Sequence, residues 1–177
     1  MYSLKKNKEV TTNRKIKNAQ ITSYNDIKFR SKSEMVLYKL LEKAVDDIDG
    51  LDFTYESEKF ILYPSTKHVG IKIYRPSKES YTDNNGKEKK KLTKDMLLQD
   101  GVFRAISYTP DFIITKGNNI IYVDVKGYTN DTYPIKMKMF LGVITQEATI
   151  HKNKHYMFAE PHNVRQMKQL IQIIKDL

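Results

Sequence analysis

The sequence predicts an α/β protein, a mixed β-sheet flanked by helices, on three observations. Helical periodicity appears in three separate segments, strand-like runs rich in aromatic and β-branched residues lie between them, and a Gly-Asn turn joins two of those runs. The order helix, strands, helix, strand, helix follows, and no internal repeat or linker divides two cores.

The first helix opens at Ser31-Lys32-Ser33-Glu34, which has the form of a capping box. Leu37, Leu40, Leu41, Ala44, Val45 and Ile48 then recur at helical spacing until Gly50. Before it, Tyr24-Asn25-Asp26 reads as a turn into Ile27-Lys28-Phe29-Arg30. After it, Phe53 to Tyr63 and Val69 to Tyr74 read as strands joined through Pro64-Ser65. Residues 75–100 form a polar excursion with a turn signal at Asp83-Asn84-Asn85-Gly86, a surface loop or an extended hairpin. Phe103 to Thr115 and Ile120 to Lys126 are paired strands, because Gly117 and Asn118 between them tolerate positive φ. Pro134 suits a first helical position, and Met137, Phe140, Leu141, Val143 and Ile144 continue a second helix. His155 to Ala159 is a short strand. Pro161 and Asn163 open a last helix whose Val164, Met167, Leu170, Ile171 and Ile174 form one apolar stripe.

The 177 residues suit one domain, 25–177, preceded by a basic arm over 1–24. With 40% hydrophobic and 29% charged residues the chain is neither disordered nor a membrane span, and the expected location is the cytoplasm. No cysteine is present, which excludes thiolate metal sites and cysteine nucleophiles. A formal charge of +10 favours a polyanionic partner, nucleic acid first. Lys5, Lys6, Lys8, Arg14, Lys15 and Lys17 face a single acid, Glu9, within residues 1–20, and a second cluster holds Lys87, Lys89, Lys90, Lys91 and Lys94. Both suit phosphate contacts, as do Lys136 and Lys138 at the start of the second helix. No Gly-rich phosphate loop, nucleophile elbow or dinucleotide fingerprint occurs.

Acidic-x-Lys triplets are common in so charged a chain, and position distinguishes Asp124-Val125-Lys126 from Asp26-Ile27-Lys28 and Glu88-Lys89-Lys90. With Gly117 and Asn118 as the turn, Asp111 falls opposite Asp124. Lys126 shares their face, while Phe112, Ile114, Ile121, Val123 and Val125 take the opposite, core-facing side. Like charges paired across strands destabilise a sheet, so a compensating divalent cation is expected. Glu34 begins the inward stripe 34, 37, 41, 44, 48 of the first helix. It is a third candidate carboxylate, with bonding to backbone amides in the capping box as its alternative role.

Pro110-Asp111, followed after twelve residues by Asp124-Val125-Lys126, with Glu34 on a preceding helix, resembles the PD-(D/E)XK nuclease superfamily. More narrowly, residues 24–144 resemble small phage proteins of the endonuclease I type, which are Holliday junction resolvases. The shared segments are Ile27 to Glu34, Ile106 to Phe112 and Val123 to Gly127; position 124 is Asp where that type carries Glu, and residues 75–100 are an insertion. The resemblance implies a restriction-endonuclease-like fold and a homodimer cutting branched DNA in a bacterial host's cytoplasm, leaving 5′-phosphate and 3′-hydroxyl ends. It implies one or two Mg²⁺ (or Mn²⁺) ions held by Asp111, Asp124, the Val125 carbonyl and Glu34, with Lys126 orienting or deprotonating the attacking water. Two other functions fit the same residues: a nucleic-acid-binding or recombination accessory protein without turnover, and a sequence-specific nuclease of restriction or transposition type.

Overall fold

The computed structural model describes residues 21–127 and 132–177 apart from the side chains of His68 and Val69, and these described residues form an α/β fold with three helices. The elements in order are β1 (Thr22–Tyr24), β2 (Ile27–Phe29), α1 (Lys32–Asp47), β3 (Leu51–Tyr55), β4 (Phe60–Tyr63), β5 (Thr66–Thr82) and β6 (Glu88–Phe103). They continue with β7 (Ile106–Tyr108), β8 (Phe112–Lys116), β9 (Asn119–Val123), α2 (Tyr133–Ile150), β10 (His155–Ala159) and α3 (Val164–Asp176).

The central sheet has the strand order β10-β9-β8-β3 and is mixed: β10 runs parallel to β9, and the other neighbours are antiparallel. Phe112 pairs with Val123 and Lys116 with Asn119, the register expected from the Gly117-Asn118 turn. Gly117 sits at φ +56°, a left-handed conformation that a Cβ would strain. One sheet face sends Phe112, Ile114, Ile121, Val123 and Val125 into a core with Leu37, Leu41 and Ala44 of α1 and with Met167, Leu170 and Ile174 of α3.

The opposite face is also covered. Tyr122 packs there with Tyr108, Tyr133, Phe140 and Ile144, and Phe60, Leu62, Ile113 and Ile120 lie against them, so α2 and the small β4-β7 pair close that side. The sequence had divided the hairpin into a core face and an acid-bearing face. Because Ile113, Ile120 and Tyr122 share the acids' side, that side needs burial too, and the carboxylates are confined to the strand ends. Phe140 is the centre of this second cluster, with the rings of Tyr108, Phe60 and Tyr122 at 4.6, 4.9 and 5.2 Å.

Several expected boundaries move for local reasons. The Phe53–Tyr63 run is two strands, because Glu56 turns to φ +45° and the β3-β8 ladder stops at Tyr55. The Phe103–Thr115 run is three pieces, and Pro110, which has no N–H to continue a ladder, separates the last two. Strand pairing of β9 ends at Val123, short of Lys126. Thr22–Tyr24, assigned to the arm, pairs with β2 through Asn25 and Asp26, both at positive φ. Val45 and Val164 are exposed rather than part of their helices' apolar faces. The 75–100 excursion and the Val69–Tyr74 strand are parts of one antiparallel ribbon, β5-β6, closed by the Asp83–Gly86 turn. Among the described residues, no helix is long and apolar enough to cross a membrane.

Phe140→Ala should destabilise the protein by about 3–5 kcal/mol, the range for emptying a buried aromatic site, as read by urea unfolding. A loss below about 1 kcal/mol would show that the second cluster is loosely packed.

Candidate active site

Asp111 and Asp124 lie one residue beyond the ends of β8 and β9, so the hairpin register brings them side by side without placing either within the ladder. Neighbouring strands extend the order past those ends. The Glu56 N–H donates to the Asp111 carbonyl at 2.9 Å; the Asp124 N–H donates to Ala159 and the Lys126 N–H to Pro161, at 3.0 and 3.1 Å. The backbone of 124–126 is thus fixed by the chain leaving β10.

Each carboxylate is buried, with Glu34, Asp111 and Asp124 all less than a tenth exposed. Asp111 Oδ2 accepts from the Val125 N–H at 2.7 Å. Asp124 accepts from the Tyr108 hydroxyl through Oδ2, and its Oδ1 is 2.6 Å from Lys126 Nζ. The Lys126 ammonium also stands 4.1 Å from the centre of the Tyr133 ring, at the first turn of α2. Glu34 belongs to the helix cap and faces the site at once: its N–H donates to Ser31 Oγ at 3.2 Å, Oε1 accepts from the Ser31 hydroxyl at 2.8 Å, and Oε2 accepts from the N–H of Arg30, one residue before the N-cap, at 3.1 Å and from the Tyr55 hydroxyl at 2.7 Å. The two roles weighed from sequence are therefore compatible.

Charge crowding shows in the acid–base behaviour of Asp111. Burial first, then the neighbouring Asp124 charge and a hydrogen bond with Asp124, push its carboxyl well above the ordinary range, with Glu34 adding to the effect. Burial, then the hydrogen bond to Glu34, raises the Tyr55 phenol. Burial, then the Asp124 charge, raises Tyr108 and Tyr133. These hydroxyls stay protonated, and those of Tyr55 and Tyr108 serve as donors to the carboxylates.

Glu56 is the residue that sequence reasoning missed. Carboxylate oxygens of Glu34, Glu56 and Asp111 lie within 4.8 Å of one another, and Arg30 Nε reaches Glu56 Oε1 at 2.7 Å. Its signal was indirect: the β3-β8 register sets Glu56 opposite Asp111, which can be seen only once those distant strands are known to pair. The tightest carboxylate group is thus Glu34, Glu56 and Asp111, and Asp124 joins through Asp111. An all-oxygen donor set of this span suits a hard cation, since opposite ligands around Mg²⁺ stand about 4.2 Å apart.

The structure does not gather the expected DNA contacts here. Lys89 is paired with Asp83 and Lys91 with Glu79, on the ribbon. Lys136 donates to the Ser107 carbonyl at 3.2 Å, which ties α2 to β7, and Lys90 and Lys138 are exposed. Lys5, Lys6, Lys8, Arg14, Lys15 and Lys17 lie outside the described residues. No family model, curated protein or solved structure matches the chain.

A raised Asp111 pKa fixes the sign of a pH effect. Between the unfolded carboxyl pKa and the raised folded one, the native state holds the extra proton, so stability is lost as pH rises through that window. In EDTA, Asp111→Asn should match wild type within roughly 1 kcal/mol near pH 5 and gain on it toward pH 8, by urea unfolding. A gap independent of pH would mean that Asp111 ionises freely.

Proposed function

We propose that the chain is a metal-dependent, structure-selective DNA endonuclease of the PD-(D/E)XK type, hydrolysing phosphodiester bonds in branched DNA as a homodimer. The observation that carries this reading is a buried run of carboxylates, Glu34 against Asp111 and Asp111 against Asp124, with Lys126 Nζ 2.6 Å from Asp124. Buried acids with one adjacent lysine form a poor structural motif, because their mutual repulsion and desolvation oppose folding. They form a good cation cage beside a phosphate. The mixed sheet flanked by helices agrees with the restriction-endonuclease-like fold that the sequence resemblance implies.

Glu34, Asp111, Asp124 and the Val125 carbonyl would hold Mg²⁺ or Mn²⁺, with Glu56 as a further carboxylate in reach. Bound there, the ion would polarise the scissile phosphate and acidify a water. The chain's own groups divide the remaining work. Tyr108 and the Val125 N–H fix the two aspartates, and Ser31, Tyr55 and the Arg30 N–H fix Glu34. Lys126 offsets phosphate charge and orients the attacking water or takes its proton. The +10 formal charge draws the polyanionic substrate to the protein. Two symmetric cuts across a junction call for two such sites, hence the homodimer.

The test is incubation of the protein with matched four-way junction, flap and linear DNAs in Mg²⁺ or EDTA. Metal-dependent cutting that favours the branched substrates is expected; DNA binding without any cutting would assign the chain to the accessory class. Asp111→Ala and Asp124→Ala should each abolish cleavage yet bind junctions at least as well as wild type, since each removes a ligand and a charge that repels phosphate. Lys126→Ala should slow single-turnover cleavage by roughly 10²–10⁴-fold with binding retained. Lys126→Arg should also be slow, because a planar guanidinium does not replace a compact ammonium. Near-normal rates in both lysine variants would contradict the reading.

A further inference from the structure

The β5-β6 ribbon divides into two chemically different halves. Its stem carries Ile71, Tyr74, Leu97, Leu98 and Val102, all exposed. Beyond the register shift between Pro76 and Lys78 the composition changes: residues 77–95 hold six lysines, and Tyr81 and Leu92 are the sole large apolar side chains. No described side chain of either half enters the two cores, and only Gly101 of β6 is buried.

The two faces of the outer half also differ. Glu79 pairs with Lys91 and Tyr81 with Lys89 across the strands, placing these four on one face. There Lys91 is neutralised by Glu79 at 2.9 Å and Lys89 by Asp83 of the turn. Lys78 opposite Leu92, Ser80 opposite Lys90 and Thr82 opposite Glu88 make up the other face. Among the described residues Lys78 and Lys90 make no ion pair, and the Ser80 and Thr82 hydroxyls beside them are further donors that suit phosphate oxygens. One face is internally compensated. The other presents free cations and hydroxyls, with a single carboxylate, Glu88, at the tip end.

We propose that the outer half of the ribbon is a DNA-grasping arm whose Lys78–Ser80–Lys90 face lies on the sugar–phosphate backbone of a duplex flanking the cleavage site. This rests on the endonuclease reading and adds to it a second contact, separate from the site of chemistry. A strand of seventeen residues reaches roughly 55 Å, the length of about sixteen base pairs, so the arm can touch DNA well away from the cut. A two-stranded ribbon is also narrow enough to follow a major groove. Lysines already bound to Glu79 and Asp83 contribute little, because each new phosphate contact would cost an existing ion pair.

The test compares two charge-matched double variants of the full chain, Lys78→Gln with Lys90→Gln and Lys89→Gln with Lys91→Gln. Binding to a fluorescent 40-base-pair duplex and to a four-way junction is followed by anisotropy in EDTA across a salt series. Losing two phosphate contacts should weaken binding roughly 10–30-fold at 0.15 M salt and flatten the slope of log affinity against log salt by about 1.8 in the first variant. The second should lose less than half as much, with melting temperatures unchanged in both. Equal effects, or no effect of the first variant while wild type binds DNA, would overturn the arm and leave the nuclease reading standing. A change of molecular mass by light scattering in the first variant would overturn it in favour of a contact between copies. Failure of wild type to bind either DNA would overturn both readings.

Discussion

Repulsion among carboxylates held out of water at the open end of the β8-β9 hairpin is the constraint around which much of the structure is arranged. The hairpin turn sets Asp111 beside Asp124, and the first turn of α1 brings Glu34 to the same place. Burial in such a position favours neutral acids, and the protein answers with donors rather than with a full complement of cations. Tyr55, Tyr108, Ser31 and the amides of Arg30 and Val125 aim at the carboxylate oxygens, and Lys126 is the ammonium in contact with Asp124. The raised pKa of Asp111 comes from burial first, and then from the Asp124 charge that these donors leave uncompensated. A divalent cation is the simplest completion of that arrangement.

Supporting elements follow from the same need. The second core, centred on Phe140, holds Tyr108 and Tyr133 so that a hydroxyl reaches Asp124 and a ring lies against Lys126. The first core holds α1, and therefore Glu34, against the sheet. Lys136 ties the start of α2 to β7 through the Ser107 carbonyl. The helices thus hold the carboxylates and their hydrogen-bond donors from both sides of the sheet, and a change in either core should be felt at the site.

Much of this was legible in the sequence where the signal was local. The Gly117-Asn118 turn determined the pairing of Phe112 with Val123 and hence the approach of Asp111 to Asp124. The 34-37-41-44-48 stripe placed Glu34 inward, and the Ser31 box gave its cap. What stayed hidden was non-local. Glu56 meets Asp111 because β3 pairs with β8 across more than fifty residues, and no periodicity encodes that choice. Tyr108 and Tyr133 carry no local signal of their place at the site, since the direction of a phenol depends on packing of the second cluster. On the ribbon, the lysine run was visible, but the division into a compensated and a free face needed the register.

The central claim is that the buried carboxylates form a divalent-cation site. Calorimetric titration of Mg²⁺ into the full chain near neutral pH, in two buffers of different protonation enthalpy, tests it without DNA or turnover. Saturable binding with release of a proton, and loss of that release in Asp111→Asn, is the result the account predicts, because the ion must displace the proton that crowding keeps on Asp111. No saturable binding up to about 10 mM Mg²⁺, or binding that moves no proton, would contradict it.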